Sequence, residues 1–435
     1  MSAVTVIGLG KIGLPLAVLI AESGRTTYGV DIQQSVIDAV GLGQTILPDE
    51  PDLPDRLQAV VRARQLLPTL DLDSAVGASE VVVVIIPLVV DENGTPLFES
   101  LDSTTERISH ALLPGSLVIY ETTLPVGTTR HRFFPVLREK TSNLFLAYSP
   151  ERVSSGSVFA GLRGYPKLIG GVDDASAERT RHFYESVFSF DDRPDLNRPN
   201  GVWDLGSTEA AELVKLAETT YRDVNIAFAN ELAEYSETLG LDVTSVITAA
   251  NSQPFSHIHR PGLVGGHCIP VYPWFLLAGA PDMRLPRVAR EVNSTVPDRV
   301  LARLVANVGD LKGLRVVVLG LAYRGGVRES SFSGALALVK ILKAAEAVPL
   351  VHDPLWTSTE LATLGLRAYQ FGESCDCAVV QSDHIMYKNI GPSDLPGVRT
   401  VFDLRAVTRT DGWGGVRRLV LGCSDFGDEP DVLPG

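Results

Sequence analysis

The chain has 435 residues, of which 45% are hydrophobic and 21% charged, a composition typical of a globular enzyme with two or three domains. The formal net charge of −14 at pH 7 disfavours a general binder of nucleic acid or of anionic membranes. No apolar run reaches the ~18 residues of a membrane helix, and we expect no secretory leader, because the first strand begins almost at once. Four cysteines are too few for a disulfide scaffold, so we expect a cytoplasmic protein.

The first predicted elements are a buried strand, a glycine-rich turn and a helix. Residues 3–8 are rich in β-branched side chains, and the apolar stretch 14–21 follows the turn Gly8-Leu-Gly-Lys-Ile-Gly13. A second predicted strand, 27–30, ends in Asp31. A GxGxxG pattern alone is weak, but a strand before it and an acidic residue after the next strand predict a dinucleotide site.

Each residue of this motif has a physical role. Gly8 permits the tight turn, Gly10 lets the backbone approach the pyrophosphate, and Gly13 lets the helix pack closely on the strand. Asp31 accepts hydrogen bonds from the adenosine ribose and repels a 2′-phosphate, so the sequence predicts NAD rather than NADP. The other predicted cofactor-binding residues of this turn are Lys11 and Ile12.

Alternating strands and helices continue to about residue 187. The predicted strands are 81–86, 117–121, 144–148 and 167–171, and the predicted helices are 101–112, 128–140 and 175–187. This alternation predicts a doubly wound parallel sheet, whose ligands lie at the carboxyl ends of the strands. The segments 121–127 and 148–152, each after a strand, are therefore candidate site loops. Glu151 lies where a catalytic carboxylate would be, but an exposed loop charge is equally compatible with this stretch.

A polar linker and a long helix follow. Residues 189–201 are rich in turn formers, which predicts the linker, and apolar residues at helical spacing predict a helix of ~30 residues that ends near Gly240. Such a helix commonly joins two lobes and packs against a twin, so we expect a homodimer. Lys215, Thr219 and Arg222 lie on one helix face, a spacing that is also typical of a solvated polar stripe.

A lone thiol, Cys268, lies in the segment Gly262-Leu-Val-Gly-Gly-His-Cys-Ile-Pro-Val-Tyr-Pro273. Gly265 and Gly266 lack the Cβ that would keep a ligand away, and Pro270 fixes the backbone after the thiol. A rigid, glycine-lined loop suits a nucleophile. A structural turn around an inert cysteine fits this stretch equally well.

The last third of the chain predicts a second, smaller sheet. Its predicted strands are 314–320, 349–352, 377–381, 400–404 and 419–421, with a helix at 334–345. The predicted fold class is α/β, with two Rossmann-like doubly wound domains joined by a long central helix in a helical dimerisation region. Cys375-Asp-Cys377 and His384 lack a second cysteine pair, so no metal site is predicted. The acidic residues 425–435 are predicted to fray.

Together these segments resemble the UDP-glucose/GDP-mannose dehydrogenase family over nearly the whole length. The motifs that carry the resemblance are Gly8-Leu-Gly-Lys-Ile-Gly-Leu-Pro15, Ser149-Pro-Glu-Arg152, Lys215-Leu-Ala-Glu-Thr-Thr-Tyr-Arg-Asp-Val-Asn-Ile226, Gly265-Gly-His-Cys-Ile-Pro270 and Gly320-Leu-Ala-Tyr-Arg324. The resemblance implies an NAD-binding domain at 1–200, a central dimerisation domain with the cysteine loop at 201–300, and a nucleotide-sugar-binding domain at 301–435. It also implies NAD-dependent, two-step oxidation of a nucleotide sugar, above all a UDP-sugar, at C6 to the uronic acid.

The resemblance also implies residue roles. Cys268, as thiolate, adds to the aldehyde left by the first hydride transfer, and the thiohemiacetal loses a second hydride to leave a thioester. Lys215 stabilises the oxyanions, and Glu151 activates the water that releases the acid. The implied catalytic residues are Cys268, Lys215, Glu151, Thr123 and Thr219. The implied substrate-binding residues are Glu151, Arg152, Lys215, Arg260, Gly265, Tyr272, Arg324 and Arg328, and Pro87 and Thr123 join the cofactor-binding residues.

Several positions depart from the family pattern. Thr219 replaces a usual asparagine, Tyr272 replaces a usual aspartate, and the nicotinamide-side loop reads Pro87-Leu-Val89 instead of Pro-Thr-Pro. The segment between Arg324 and Arg328 is shorter than the common form. A phenol is not an ionised carboxylate at neutral pH, so two alternatives stay open. One is a two-electron dehydrogenase that stops at an aldehyde or ketone, and the other is a non-catalytic sensor of NAD or of a nucleotide sugar.

Overall fold

The computed structural model describes residues 3–47, 50–91, 93–153 and 156–423. The predicted frayed tail at 425–435 lies outside these ranges. The chain divides into two units, Met1–Glu218 with Trp274–Pro281 and Thr219–Pro273 with Asp282–Gly435. Within the described ranges, no helix combines the length and apolarity that a membrane span requires.

The first unit is built on an eight-stranded sheet. The strands of this unit, with a separate hairpin formed by β5 and β6, are β1 (Val4–Ile7), β2 (Thr27–Val30), β3 (Leu66–Thr69), β4 (Val81–Val84), β5 (Val89–Val90), β6 (Pro96–Leu97), β7 (Ser116–Tyr120), β8 (Leu144–Tyr148), β9 (Lys167–Gly171) and β10 (Val202–Asp204). The sheet order is β10-β9-β8-β7-β4-β1-β2-β3. β1, β4 and β7 are buried along their whole length, as expected for strands covered on both faces.

Helices connect the strands and cover the sheet. They are α1 (Gly13–Glu22), α2 (Gln34–Gly41), α3 (Leu53–Arg62), α4 (Leu72–Gly77), α5 (Glu99–Ala111), α6 (Phe134–Arg138), α7 (Val158–Gly164) and α8 (Asp174–Glu185), and a π-helical turn, Thr129–Phe133, leads into α6. The doubly wound α/β fold predicted for this part of the chain is confirmed. The sequence interpretation had assigned no helix to α2, α3, α4 or α7.

The sheet changes direction at one edge. β8 pairs with β9 antiparallel, with Ala147 opposite Gly171 and Tyr148 opposite Gly170, whereas the neighbouring pairs β7–β8 and β9–β10 are parallel. The described part of the connection from β8 to β9 contains the short helix α7, and the chain re-enters the sheet in the reverse direction. As a result, the first residue of β9, Lys167, lies next to the C-terminal ends of β7 and β8.

Helices dominate the middle of the chain. They are α9 (Thr208–Leu239), α10 (Val243–Ala250), α11 (Tyr272–Gly279) and α12 (Arg284–Val308). The long helix predicted to end near Gly240 is confirmed as α9, with 32 residues. The division between the two units falls within α9, whereas the sequence analysis places a domain boundary at residue 200, which stays a prediction.

The second unit carries a five-stranded, wholly parallel sheet of order β12-β11-β13-β14-β15. Its strands are β11 (Arg315–Leu319), β12 (Val348–His352), β13 (Cys377–Val380), β14 (Thr400–Asp403) and β15 (Arg417–Val420), and its helices are α13 (Gly334–Ala344), α14 (Ser358–Thr363) and a 3-10 turn, Ile385–Asn389. The core combines the buried faces of α12 and α13 with the sheet. The second Rossmann-like domain is therefore confirmed.

Candidate active site

The glycine-rich turn after β1 has the geometry of a dinucleotide-binding turn. Gly8 has a φ of +98°, and a Cβ there would lie 2.3 Å from the carbonyl oxygen of Ile85. A Cβ on Gly13 would lie 1.7 Å from the carbonyl oxygen of Gly8, so both positions require glycine. A Cβ on the exposed residue Gly10 would meet no atom within 4 Å. The turn therefore leaves open space beside Gly10, directly before α1.

Asp31 follows β2, and its carboxylate is fixed by the backbone. Oδ2 accepts a hydrogen bond from the Leu9 N–H at 3.0 Å, and Oδ1 accepts one from the Gln33 N–H at 3.0 Å. The residue is half-buried, and an ionised carboxylate has about four acceptor sites, so it can also accept from ribose hydroxyls. Lys11 and Ile12 lie half-buried in the turn, and Pro87 is exposed after β4.

Glu151 is held by the turn that follows β8. Its Oε1 atom accepts hydrogen bonds from the N–H groups of Arg152 at 2.5 Å and Val153 at 2.9 Å. Its Oε2 atom is buried, and none of the described residues donates a hydrogen bond to it. The carboxylate is therefore fixed in orientation while one oxygen keeps its acceptor capacity.

Helix α9 anchors this turn through two of its side chains. The Lys215 ammonium donates to the main-chain oxygen of Glu151, and Arg152 pairs with Glu218 through Nε at 2.8 Å and Nη2 at 2.5 Å. Lys215 and Glu218 are three residues apart and therefore neighbours on the helix surface. The structure thus brings together two of the predicted catalytic residues. Arg152, predicted to bind substrate, already has a carboxylate partner.

A buried charge cluster lies next to Glu151. Lys167 Nζ is 2.8 Å from Glu121 Oε2 and 3.6 Å from Glu151 Oε2, and the Tyr184 hydroxyl donates to Glu121 Oε1. Burial raises the pKa of Glu121, and the Lys167 charge only partly offsets this effect. Burial lowers the pKa of Lys167, but the two glutamates outweigh it and leave this pKa above its usual value. Thr123, predicted to order water, is buried two residues after Glu121.

Lys167 was missed by the sequence interpretation. The sequence signal for it is a lysine at the start of an otherwise uncharged strand, Lys-Leu-Ile-Gly-Gly. The structure shows that all five residues of this strand are buried. Charged side chains are almost never fully buried unless they are paired. A lysine in such a strand therefore indicates a carboxylate partner.

The cysteine loop of the second unit is clamped at both ends. The Asn230 side chain exchanges two hydrogen bonds with the backbone of Gly262, at 2.8 and 3.1 Å. The Arg290 guanidinium donates to the carbonyl oxygen of Ile269, the residue after Cys268, at 3.4 Å. The Gly266 N–H donates to the carbonyl oxygen of Ser331 at 3.0 Å. These contacts fix the backbone on both sides of the thiol.

Cys268 is half-buried at the beginning of the turn into α11. Its carbonyl oxygen accepts hydrogen bonds from Val271 at 3.2 Å and from Tyr272 at 2.9 Å. A Cβ on Gly265 would lie 3.1 Å from the carbonyl oxygen of Phe332, so the loop approaches the neighbouring backbone closely. Tyr272 is half-buried as the first residue of α11.

A buried polar network supports the clamp. Arg290 Nε lies 3.3 Å from Asp223 Oδ2, and the Asn293 amide donates to Asp223 Oδ1 at 2.8 Å. The Asn230 amide donates to Asn293 Oδ1 at 2.9 Å. These four side chains are less than 10% exposed. They come from α9 and α12, and sequence spacing alone did not reveal them.

The remaining predicted site residues occupy different settings in the second unit. Thr219 is buried in α9. Arg260 is exposed and lines a cavity of about 120 Å³ together with Arg405. Arg324 is exposed after β11, whereas Arg328 is half-buried, pairs with Glu360 at 2.5 Å and lies 4.6 Å from the ring centre of Trp356. Among the described residues, no group of three His, Cys, Asp or Glu side chains is placed to hold a metal ion.

Sequence profiles of three domains of one family match the chain. They are those of the UDP-glucose/GDP-mannose dehydrogenase family, with the NAD binding domain at residues 2–188, the central domain at 209–295 and the UDP binding domain at 317–410.

Individual proteins match over most of their length. A UDP-N-acetyl-D-mannosamine dehydrogenase of Pyrococcus horikoshii is 32% identical over 400 residues, which cover 89% of this chain and 90% of the relative. An NDP-N-acetyl-D-galactosaminuronic acid dehydrogenase of Ralstonia nicotianae is 31% identical over 421 residues, which cover 93% and 96%. The solved structure of a UDP-D-ManNAc dehydrogenase from Pyrococcus horikoshii superposes with a TM-score of 0.84 at 29% identity, and the match covers 98% of this chain and 100% of that one.

Proposed function

The chain belongs to the UDP-glucose/GDP-mannose dehydrogenase family, an NAD-dependent oxidoreductase family, and on that premise we propose that it oxidises a UDP-linked N-acetylhexosamine at C6 to the uronic acid. The observation that carries the choice of sugar is the similarity, at 28–32% identity over 89–96% of the chain, to dehydrogenases of N-acetylated nucleotide sugars. The family's UDP binding domain supports UDP as the nucleotide.

The first unit fits a dinucleotide. Open space lies beside Gly10 at the N-terminus of α1, and Asp31 keeps acceptor sites for the ribose hydroxyls. When bound, NAD supplies the hydride acceptor for both oxidations. The chain's own part is to hold the dinucleotide at this turn and to provide the groups that handle protons and the covalent intermediate.

Three side chains carry the covalent chemistry in this proposal. Cys268, as thiolate, forms a bond to the aldehyde carbon, and the resulting thiohemiacetal becomes a thioester when the second hydride leaves. Lys215 stabilises the alkoxide and the thiohemiacetal oxyanion, and its anchorage on the main-chain oxygen of Glu151 supports that role. Glu151 takes a proton from the water that attacks the thioester. The clamped cysteine loop and the fixed Glu151 carboxylate suit groups that must be preorganised.

The test is a panel of UDP-, GDP- and TDP-linked hexoses and N-acetylhexosamines, read by NADH yield and product mass. We expect two NADH per sugar and the uronic acid with a UDP-N-acetylhexosamine. Turnover confined to GDP- or TDP-sugars, or to sugars without the N-acetyl group, would contradict the substrate assignment. One NADH with an aldehyde or ketone product would favour the two-electron alternative, and binding without NADH would favour the sensor.

We also propose that the protein is a homodimer that forms through α9. Large apolar side chains are exposed on this helix every seven residues, at Tyr221, Phe228 and Tyr235, with exposed fractions of 54%, 49% and 63%. Seven residues are close to two helical turns, so these side chains form one stripe. Contiguous exposed apolar surface of this kind marks protein interfaces.

Light scattering tests the dimer directly. The variant Phe228→Glu/Tyr235→Glu should shift the mass from dimer to monomer. Leu364→Glu, at an exposed apolar position outside the stripe, is the matched control and should leave the mass unchanged. A monomeric wild type would refute this proposal. The cytoplasmic location stays a prediction, which the four free thiols fit.

A further inference from the structure

The reversed strand β9 brings a lysine to the edge of the sheet where the candidate active-site loops lie. Tyr148, the last residue of β8, pairs with Gly170, and β9 runs from there back to Lys167. Glu121 directly follows β7, and Glu151 lies in the turn after β8. If β9 ran parallel to β8, Lys167 would lie at the other end of the strands, away from these two glutamates.

Lys167 is surrounded by acceptors in a nearly closed space. Its side chain is 6% exposed, those of Glu121 and Glu151 are 0% and 12% exposed, and the ammonium lies 4.9 Å from the ring centre of Tyr184. At 2.8 Å, Glu121 is close enough to form a charge-assisted hydrogen bond, whereas Glu151 Oε2 at 3.6 Å is an ion-pair neighbour. One ammonium thus lies beside two carboxyl groups.

The two oxygens of Glu151 have different surroundings. Oε1 accepts two backbone hydrogen bonds within its own turn, and Oε2 has no hydrogen-bond donor among the described residues. A buried acceptor without a donor is costly, so such atoms usually bind water or a ligand. The Lys167 ammonium lies 3.6 Å from this atom, within ion-pair distance.

We propose that Lys167 is a positioning residue for thioester hydrolysis, which keeps Glu151 Oε2 directed at the attacking water, while Glu121 and Tyr184 hold Lys167 in place. This inference rests on the proposed function. In the step it serves, the water oxygen bonds to the thioester carbonyl carbon and Oε2 takes one water proton. The carbon–sulfur bond then breaks, Cys268 leaves with the electron pair as thiolate, and the product acid ionises to solvent. No oxidant or reductant takes part.

The informative variant removes both charges of the buried pair. Lys167→Met alone would leave Glu121 buried without its counter-charge, which is strongly destabilising, whereas Lys167→Met/Glu121→Gln removes both charges. In the double variant we expect the first hydride transfer within a few-fold of wild type and thioester hydrolysis slowed by about 10²-fold. A Cys268-linked acyl-enzyme should then accumulate in the intact mass after rapid quenching. Lys167→Arg, which keeps the positive charge, should restore part of the hydrolysis rate.

The ratio of the two half-reaction rates separates positioning from mere stability. The charged and titratable groups around Glu151 include Lys167 from β9, Glu121 after β7, Tyr184 from α8 and Lys215 from α9. Loss of the Lys167 ammonium should slow hydrolysis selectively, because the first hydride transfer does not use Glu151. Thr5→Val, which removes buried hydrogen bonds to Ser79 and to the carbonyl oxygen of Ala75, should lower stability and leave this ratio unchanged.

The outcomes distinguish this inference from the proposed function. If the wild type forms two NADH and the double variant slows both half-reactions equally, or leaves hydrolysis unchanged, the role of Lys167 is refuted and the function stands. If the wild type forms one NADH and never carries an acyl group on Cys268, both are refuted.

Discussion

In each of the two α/β units, a Gly-Leu pair directly follows the first strand, β1 or β11. The N–H of its leucine donates a hydrogen bond to an aspartate that follows the neighbouring strand, β2 or β12. In the first unit, Leu9 donates to Asp31 Oδ2 at 3.0 Å. In the second, Leu321 donates to Asp353 Oδ2 at 2.7 Å. The other oxygen of each aspartate accepts from the N–H two residues further on, at 3.0 and 2.9 Å. The backbone geometry is therefore the same in both units.

The surroundings of the two aspartates differ. Asp31 is half-buried, whereas Asp353 is 3% exposed and its Oδ2 atom lies 3.2 Å from His384 Nε2. In the first unit the helix begins at Gly13, directly after the turn, whereas in the second a long loop separates the turn from α13. Of these two carboxylates, only that of Asp31 thus stays accessible to a ligand.

This difference suggests separate ways of binding anions in the two units. In the first unit we propose that a helix N-terminus and backbone N–H groups bind the pyrophosphate. The second presents side-chain cations in its loop, among them the exposed Arg324 and the half-buried Arg328. We therefore expect nucleotide binding to depend on side chains in the second unit and on glycines in the first.

The largest expected effect comes from Gly13→Ala in the first turn. Its Cβ would lie 1.7 Å from a carbonyl oxygen, so the backbone must move, and we expect a loss of about 3 kcal/mol in the free energy of unfolding. Gly10→Ala meets no atom within 4 Å and should leave stability unchanged while it weakens NAD binding. Denaturant unfolding and NAD titration measure the two effects. Equal losses of stability in both variants would contradict this account of the turn.

Two buried carboxyl groups, one in each unit, should make opposite contributions to the pH dependence of stability. Burial raises the pKa of Glu212, in the first unit, from 4.5 to about 7. A raised carboxyl pKa contributes stability below pH 4.5 that is lost as pH rises through about 7, here about 3 kcal/mol at 1.36 kcal/mol per pH unit. In the second unit, burial alone would raise the pKa of Asp353, but the His384 hydrogen bond and two backbone N–H groups outweigh it and lower this pKa. The stability that ionised Asp353 contributes is therefore present above pH 3.8 and is lost as pH falls through the lowered pKa of the folded state.

The variant Glu212→Gln isolates the first of these effects. Glutamine does not titrate, so the fall in stability between pH 4.5 and about 7 should disappear, whatever the absolute stability of the variant. Denaturant unfolding across this range measures the slope. An unchanged slope would assign the pH dependence to other groups.

A smaller effect should separate the aspartates. Asp31→Asn weakens the acceptors that we propose for the ribose hydroxyls, and we expect a loss of about 1–2 kcal/mol in NAD binding with little change in stability. Asp353→Asn should cost about 1–2 kcal/mol of stability with NAD affinity unchanged, because its acceptors serve the fold. Calorimetric NAD titration and unfolding of both variants check this. A fall in NAD affinity in Asp353→Asn would remove the distinction.

The sequence predicted the first turn, the long helix and both sheets because these depend on local patterns. Gly8, Gly13 and Asp31 lie where their spacing indicates, in a strand–turn–helix frame. Direction is not a local property, since an apolar run indicates a strand but not which way it enters a sheet. The reversal of β9, and with it the cluster around Lys167, was therefore not predictable.

The sequence also did not reveal which side chains form ion pairs and hydrogen bonds with one another. Arg152 was predicted to bind substrate, and the structure pairs it with Glu218. In the sequence, Asn230 and Arg290 have no feature that distinguishes them from other helix residues. Their contacts with the cysteine loop are seen only in the structure, where α9 and α12 both lie against this loop. Contacts between residues far apart in the chain decide these roles, and spacing along one helix does not specify them.

The hydride count per sugar in wild type and in Cys268→Ala tests the central claim most directly. Under single-turnover conditions with a UDP-N-acetylhexosamine, the account predicts two NADH per sugar in the wild type and at most one in the variant, because the free aldehyde carries no oxyanion to expel a second hydride. Two NADH per sugar in Cys268→Ala, or one in the wild type, would contradict it.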